Sequence, residues 1–221
     1  MVNFENSKNA FWMALIVTAA IFVLGLTLGF ILENSRAQKI EEFYAQSEVS
    51  LIDSVALTKF LEINFEDCEQ IAYAQREFAN RIYQEALILE QYESAGKITE
   101  QLKLVHKKYD LMRTILWMNI LENEKNCSEK MDTLVYLYEY ETEDINKKAV
   151  QSVWSRVLLE IKQNKGDKVI LIPLAANSNL SSLDLMLKKF NISELPALVI
   201  NNKKVIYELS SSETLETYLK N

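Results

Sequence analysis

Two cysteines, one histidine and a run of carboxylates are the residues of this 221-residue chain with the most to offer chemically. Cys68 and Cys127 stand about 60 residues apart, far from Cys-x-x-Cys spacing, so each is a candidate for a structural disulfide or for a buried thiol. His106 precedes Lys107 and Lys108 and reads as a solvent-facing helix residue, with no nucleophile placed for it to activate. A zinc site would need both sulfurs, the imidazole and a carboxylate from positions with no recognised spacing, so no metal is expected. Glu139, Glu141, Glu143 and Asp144 lack EF-hand spacing; they read as a solvated loop whose last acids favour the start of a helix, or as a contact for a cation or basic peptide.

Composition narrows the field further. Lys and Arg total 24 against 31 Asp and Glu, a net charge of −7, so no field draws in a polyphosphate and nucleic acid is not an expected partner. Gly25, Gly29, Gly96 and Gly166 cannot be assembled into GxGxxG or GxxxxGK[ST], which excludes the common nucleotide cradles; no cofactor is expected.

The elements that position these residues begin with an anchor. From Ala10 to Leu32 no residue is charged, and at about 1.5 Å per residue such a helix crosses the roughly 30 Å of a bilayer core. The preceding tail, residues 1–9, has one Lys and one Glu, and the Ser35–Ala37 region makes a poor cleavage site, so residues 10–32 are expected to stay as a transmembrane helix. Gly25 and Gly29 lie one turn apart, a spacing that lets a second membrane helix approach closely and that also occurs by chance in spanning helices.

Residues 33–129 read as a helical region. Apolar residues recur at three and four in three stretches, Ile40–Phe60, Phe65–Leu89 and Ile98–Ile120. Glu93-Ser-Ala-Gly-Lys97 separates the last two, with Thr99 a candidate cap, and so short a turn makes them an antiparallel hairpin. Cys68 and Cys127 then lie about equally far from the turn and meet at the open end. A bond between them closes a loop of about 60 residues, for which loop-closure entropy gives roughly 4 kcal/mol as an upper figure. Such a bond is rare in ordinary cytosol. The expected topology is a cell-membrane protein with its N-terminus cytoplasmic and the region after the anchor extracytoplasmic. Tyr44, Tyr73, Tyr83, Tyr92, Tyr109 and Trp117 read as packing residues of the helices.

The texture changes near residue 130. Strands are expected at Thr133–Tyr138, Lys168–Ile172, Ala197–Ile200 and Lys204–Glu208, the last two joined through Asn201-Asn-Lys203 as a hairpin. Helices are expected at about 145–163, stopped by Asn164-Lys-Gly-Asp167, at 181–190 capped by Ser181 or Ser182, and at 212–219. The order is β-α-β-α-β-β-α: a parallel pair across a helix, then an antiparallel hairpin, in one α/β domain of residues 130–221. Three triplets, at Asn126, Asn179 and Asn191, match the N-glycosylation acceptor.

The stretch Leu187-Lys-Lys-Phe-Asn-Ile-Ser-Glu-Leu-Pro196-Ala-Leu-Val-Ile-Asn-Asn-Lys203 resembles the second half of a thioredoxin-fold domain, in which a helix ends in an aromatic and a proline opens an apolar strand. The resemblance implies a thioredoxin-like fold for residues 130–221, a cis bond before Pro196, and nearby backbone able to hold an extended peptide. The family's Cys-x-x-Cys belongs after the first strand, and residues 139–148 contain no cysteine, so the usual dithiol exchange has no sulfur to work with.

The expected function is therefore membrane-anchored recognition or scaffolding without redox turnover, a binding protein rather than an enzyme, whose partner is another protein or an extended peptide. The expected peptide site is Tyr140, Glu141, Glu194, Leu195 and Pro196, because the loops after the first strand and before the third must meet at one edge. The alternatives are a thiol–disulfide oxidoreductase using Cys68 and Cys127, or an accessory subunit of a membrane transport or secretion complex.

Overall fold

A computed structural model of the chain describes residues 4–62, 67–95, 100–124, 127 and 131–219. Phe65, Gly96, Lys97, Ile98, Thr99, Asn126 and Ser128, all used in the sequence reading, lie outside the described residues. The chain divides into two units, residues 1–46 and 47–221. It is mostly helical, with one small mixed sheet.

The first unit lies within helix α1, which spans Phe4–Glu62. Its Ala10–Leu32 segment has a mean hydropathy of 2.7 and no buried residue, one helix long and apolar enough to cross a membrane. Thr18 and Thr27 donate their hydroxyls to the carbonyls of Ala14 and Leu24, which keeps those groups paired within the helix. Among the described residues no atom lies within 4 Å of a Cβ built on Gly25 or Gly29, so both stand in open space. The anchor and the first helical stretch after it are expected as separate helices. They are one, because between Leu32 and Ile40 the chain has neither Gly nor Pro to interrupt the hydrogen-bond ladder.

In the second unit, α2 (Cys68–Ala95) and α3 (Glu100–Asn123) pack side by side. Ile71, Phe78, Ile82 and Leu89 are buried on α2; Leu102, Val105, Tyr109, Met112, Leu116 and Ile120 are buried on α3. The disulfide is present between Cys68 and Cys127, with Cα atoms 5.5 Å apart. A polar network crosses the helices farther along: buried Glu85 accepts hydrogen bonds from Ser50 of α1 at 2.8 Å and from the Tyr109 hydroxyl at 2.9 Å. The aromatic residues divide, with Tyr109 and Trp117 fully buried and Tyr73 and Tyr83 exposed.

The sheet follows. Strands β1 (Asp132–Tyr138), β2 (Val169–Ala175), β3 (Ala197–Ile200) and β4 (Lys204–Ile206) lie in the order β2-β1-β3-β4. β1 pairs parallel with β2 across helix α4 (Ile145–Lys165), while β3 is antiparallel to both β1 and β4. Leu134 and Tyr136 meet Trp154, Leu158 and Ile161 of α4 and Leu215 of α6 (Ser212–Glu216) in one apolar cluster. By strand alternation Val135 and Leu137 point the other way, and they are buried too. α3 packs against β2 and against α5 (Ser181–Lys189), where Trp117 stacks on Phe190 at 4.9 Å. The hairpin and the sheet thus belong to one unit.

Several boundaries differ from expectation. β2 runs on through Pro173, which an edge strand tolerates because its outer N–H positions need no partner. Neither Ser181 nor Ser182 caps α5: Leu180 stands at the cap with no side-chain bond, and Ser181 is already helical. α6 stops at Glu216 and β4 at Ile206. The β3–β4 connection is the expected hairpin; Asn201 and Asn202 both have positive φ, the backbone of a type I′ turn.

Candidate functional site

The C-terminal end of β1 is where side chains from the hairpin, the sheet and α4 converge. Period-2 alternation puts Tyr136 and Tyr138 on one face, their rings stacked 5.7 Å apart. The backbone then leaves the sheet held by two side-chain amides. Gln151 accepts from the Glu139 N–H at 2.8 Å and donates to the Glu139 carbonyl at 3.0 Å. Asn177 does the same for Tyr140, both bonds at 2.9 Å. Each amide imitates a strand neighbour and pairs backbone groups the ladder no longer reaches. Glu141 then turns the chain with φ of 52°.

The acidic run is mostly engaged by α3 and α4. Lys147 binds Glu139 and holds its carboxyl below the usual range; Glu141 pairs with Lys103 at 3.2 Å and raises that lysine. Asp144 caps α4 through the N–H groups of Asn146 and Lys147, as expected for the last acid before a helix.

His106 is not solvent-facing. Its side chain is 12% exposed, its ring lies 4.0 Å from that of Tyr140, and its Nε2 shares a hydrogen bond with the Tyr138 hydroxyl at 3.0 Å. One turn on, Asp110 is fully buried; its Oδ2 is 3.8 Å from His106 Nε2, and its Oδ1 accepts from the Ala175 N–H of edge strand β2 at 3.2 Å. Arg113, three residues further on, stands 3.7 Å from the same Oδ1. Spacings of four and three put His106, Asp110 and Arg113 on one face of α3, turned towards the sheet. The signal in the sequence was faint: from Tyr109 to Ile120 α3 is buried nearly all round, so no polar face marks these residues out.

The His106–Tyr138 hydrogen bond fixes the imidazole and the phenol against each other at the mouth of the loop. Burial pushes the Tyr136 hydroxyl well above its usual value, and it donates to the Gln151 carbonyl at 3.2 Å. Among the described residues no group of three His, Cys, Asp or Glu is placed to hold a metal ion.

The five expected peptide-site residues fall on two sides of this loop. Tyr140 and Glu141 lean on α3 through His106 and Lys103. Glu194 is exposed, Leu195 half-buried and Pro196 buried at the start of β3, and the Leu195–Pro196 bond is cis. Leu137 is opposite Ala197, so the end of β1 and Pro196 share one end of the sheet. The residues the sequence reading missed are Arg113, Asp110 and Gln151.

No family model matches the chain and no curated protein sequence matches it. A solved structure described as "Structure of a malarial protein" is similar to it at 15% identity, over 40% of this chain and 93% of that one, with a TM-score of 0.32. At that level the likeness carries no argument about fold or function.

Proposed function

We propose that the chain is a single-span membrane protein, N-terminus cytoplasmic, whose residues 130–221 form a thioredoxin-like domain that recognises another protein or an extended peptide without thiol exchange. The element order, the parallel pair and the proline opening β3 support the thioredoxin-like reading. The observation that carries the function is the position of the sulfurs. Both cysteines of the chain are joined to each other beside Met131 and Thr133, at the start of β1. Pro196 is at the other end of that strand, roughly 15–20 Å away at 3.3 Å per residue. A peptide held at the Pro196 end is out of reach of the disulfide, so the loops there can hold but not exchange. Glu194 and Pro196 on one side and Tyr140 and Glu141 on the other are the contact residues of this reading.

A photo-crosslinking residue placed at Glu194 in intact membranes tests it, with exposed Arg156 on α4 as the control position. A discrete adduct from 194 and none from 156 is expected; equal, diffuse labelling from both rules the reading out. The sidedness has its own test. Cys68 and Cys127 should resist an impermeant thiol reagent on intact cells until a reductant is added, and labelling only after lysis without reductant reverses the topology.

A further inference from the structure

Between α2, α3, the end of β1 and the first turns of α4 lies a cavity of about 380 Å³, within the range of small-molecule sites. Its walls are aromatic and apolar: Tyr83 and Leu87 from α2, Tyr138 and Tyr140 from the end of β1, Pro173 from β2. Set among them is the guanidinium of Arg113, 10% exposed. That group makes no hydrogen bond among the described residues. Its nearest anion, Asp110 Oδ1, is 3.7 Å away, beyond hydrogen-bond distance, and already accepts the Ala175 N–H. A guanidinium carries five donors in a rigid fork; that of Arg113 has the Asp110 ion pair but no hydrogen bond, so its donors stay open to a planar oxyanion in the cavity, which would take them through two parallel bonds.

We infer that this cavity binds a small organic carboxylate with a flat apolar body, its carboxylate on Arg113 and its body against the tyrosine rings. Other polar side chains at the wall are engaged: His106 Nε2 shares a hydrogen bond with the Tyr138 hydroxyl, the Tyr136 and Ser155 hydroxyls both donate to the Gln151 carbonyl, and Gln151 itself clamps Glu139. Arg113 is the permanently charged group of this wall and the one that selects charge. The Asp110 carboxylate beside it favours a monoanion over a phosphate dianion, because its repulsion grows with the charge of the ligand. The cavity is lined by neither Glu194 nor Pro196 and shares only Tyr140 with the protein-recognition reading above, on which this inference does not rest.

The test uses the full chain in lipid nanodiscs and isothermal titration calorimetry with 2-naphthylacetate, its uncharged amide, and inorganic phosphate, with empty nanodiscs as the blank. Saturable one-to-one binding of the acid, about tenfold or more tighter than the amide, is expected, since a charge-assisted pair is worth at least that factor. Phosphate should neither bind nor compete. Arg113→Met should bring acid and amide to equal affinity, and Arg113→Lys should keep part of the preference. Equal binding of acid and amide by the native chain, no saturable binding of either, or competition by phosphate at equal concentration overturns the inference. If Arg113→Met loses its helical circular dichroism, the native acid–amide comparison decides alone.

Discussion

The helical hairpin and the sheet each bury a tyrosine, and they hold it differently. On the hairpin Tyr109 donates to the carboxylate of Glu85, which also accepts from Ser50, and a disulfide closes the open end. In the sheet Tyr136 donates to a backbone carbonyl and is otherwise wrapped by Trp154 and apolar neighbours. Two long helices with one seam between them have little interior, and here a covalent link and an ionisable acceptor supplement it. The sheet, covered on both faces, is held by packing.

That contrast predicts its own order of effects. Replacing Trp154 by Ala removes a fully buried indole from the centre of the sheet cluster and should cost about 3–5 kcal/mol, read as the shift in a urea unfolding curve. Less than about 1 kcal/mol would mean the sheet does not rely on packing at that point. Changing both Cys68 and Cys127 to Ser should cost roughly 2–4 kcal/mol, with the gain in the native chain disappearing under reductant.

The two tyrosines sharpen the comparison next. Tyr109→Phe leaves a Glu85 oxygen without its donor and should destabilise by about 1–3 kcal/mol, whereas Tyr136→Phe frees only a carbonyl and should cost about 0.5–1.5 kcal/mol. Their pH dependence has one sign. Burial, and for Tyr109 the neighbouring Glu85 charge, raise both hydroxyls above the ordinary value of 10.0. Above pH 10 the unfolded chain gives up these protons and the folded chain keeps them, so stability is full below about 10 and falls as pH rises further. Denaturation midpoints at pH 9 and 11 should show the fall, and each Phe variant should lessen it; a flat profile would deny the burial of both rings. The smallest effect belongs to the caps: Asp144→Ala should cost about 1 kcal/mol, with helix content measured by circular dichroism as the check.

Much of this was legible in the sequence because it is local or periodic. An uncharged run of 23 residues, apolar repeats at three and four, and β-branched stretches between turn residues each point to one backbone conformation, and they predicted the apolar N-terminal helix, the helix pair and all four strands. The disulfide followed as well, since an antiparallel hairpin brings together residues equally far from its turn. Only the tertiary structure decided what the polar residues do. His106 with two lysines after it resembles any surface position until β1 delivers Tyr138 to its Nε2, and Arg113 has no meaning as a site until α2, β1 and α4 enclose the space before it. The His106–Tyr138 contact joins residues 32 positions apart and the Asp110–Ala175 contact residues 65 apart, with no period to announce them. Backbone pattern is written in neighbouring side chains, whereas a cavity exists only where separate elements fail to fill the volume between them.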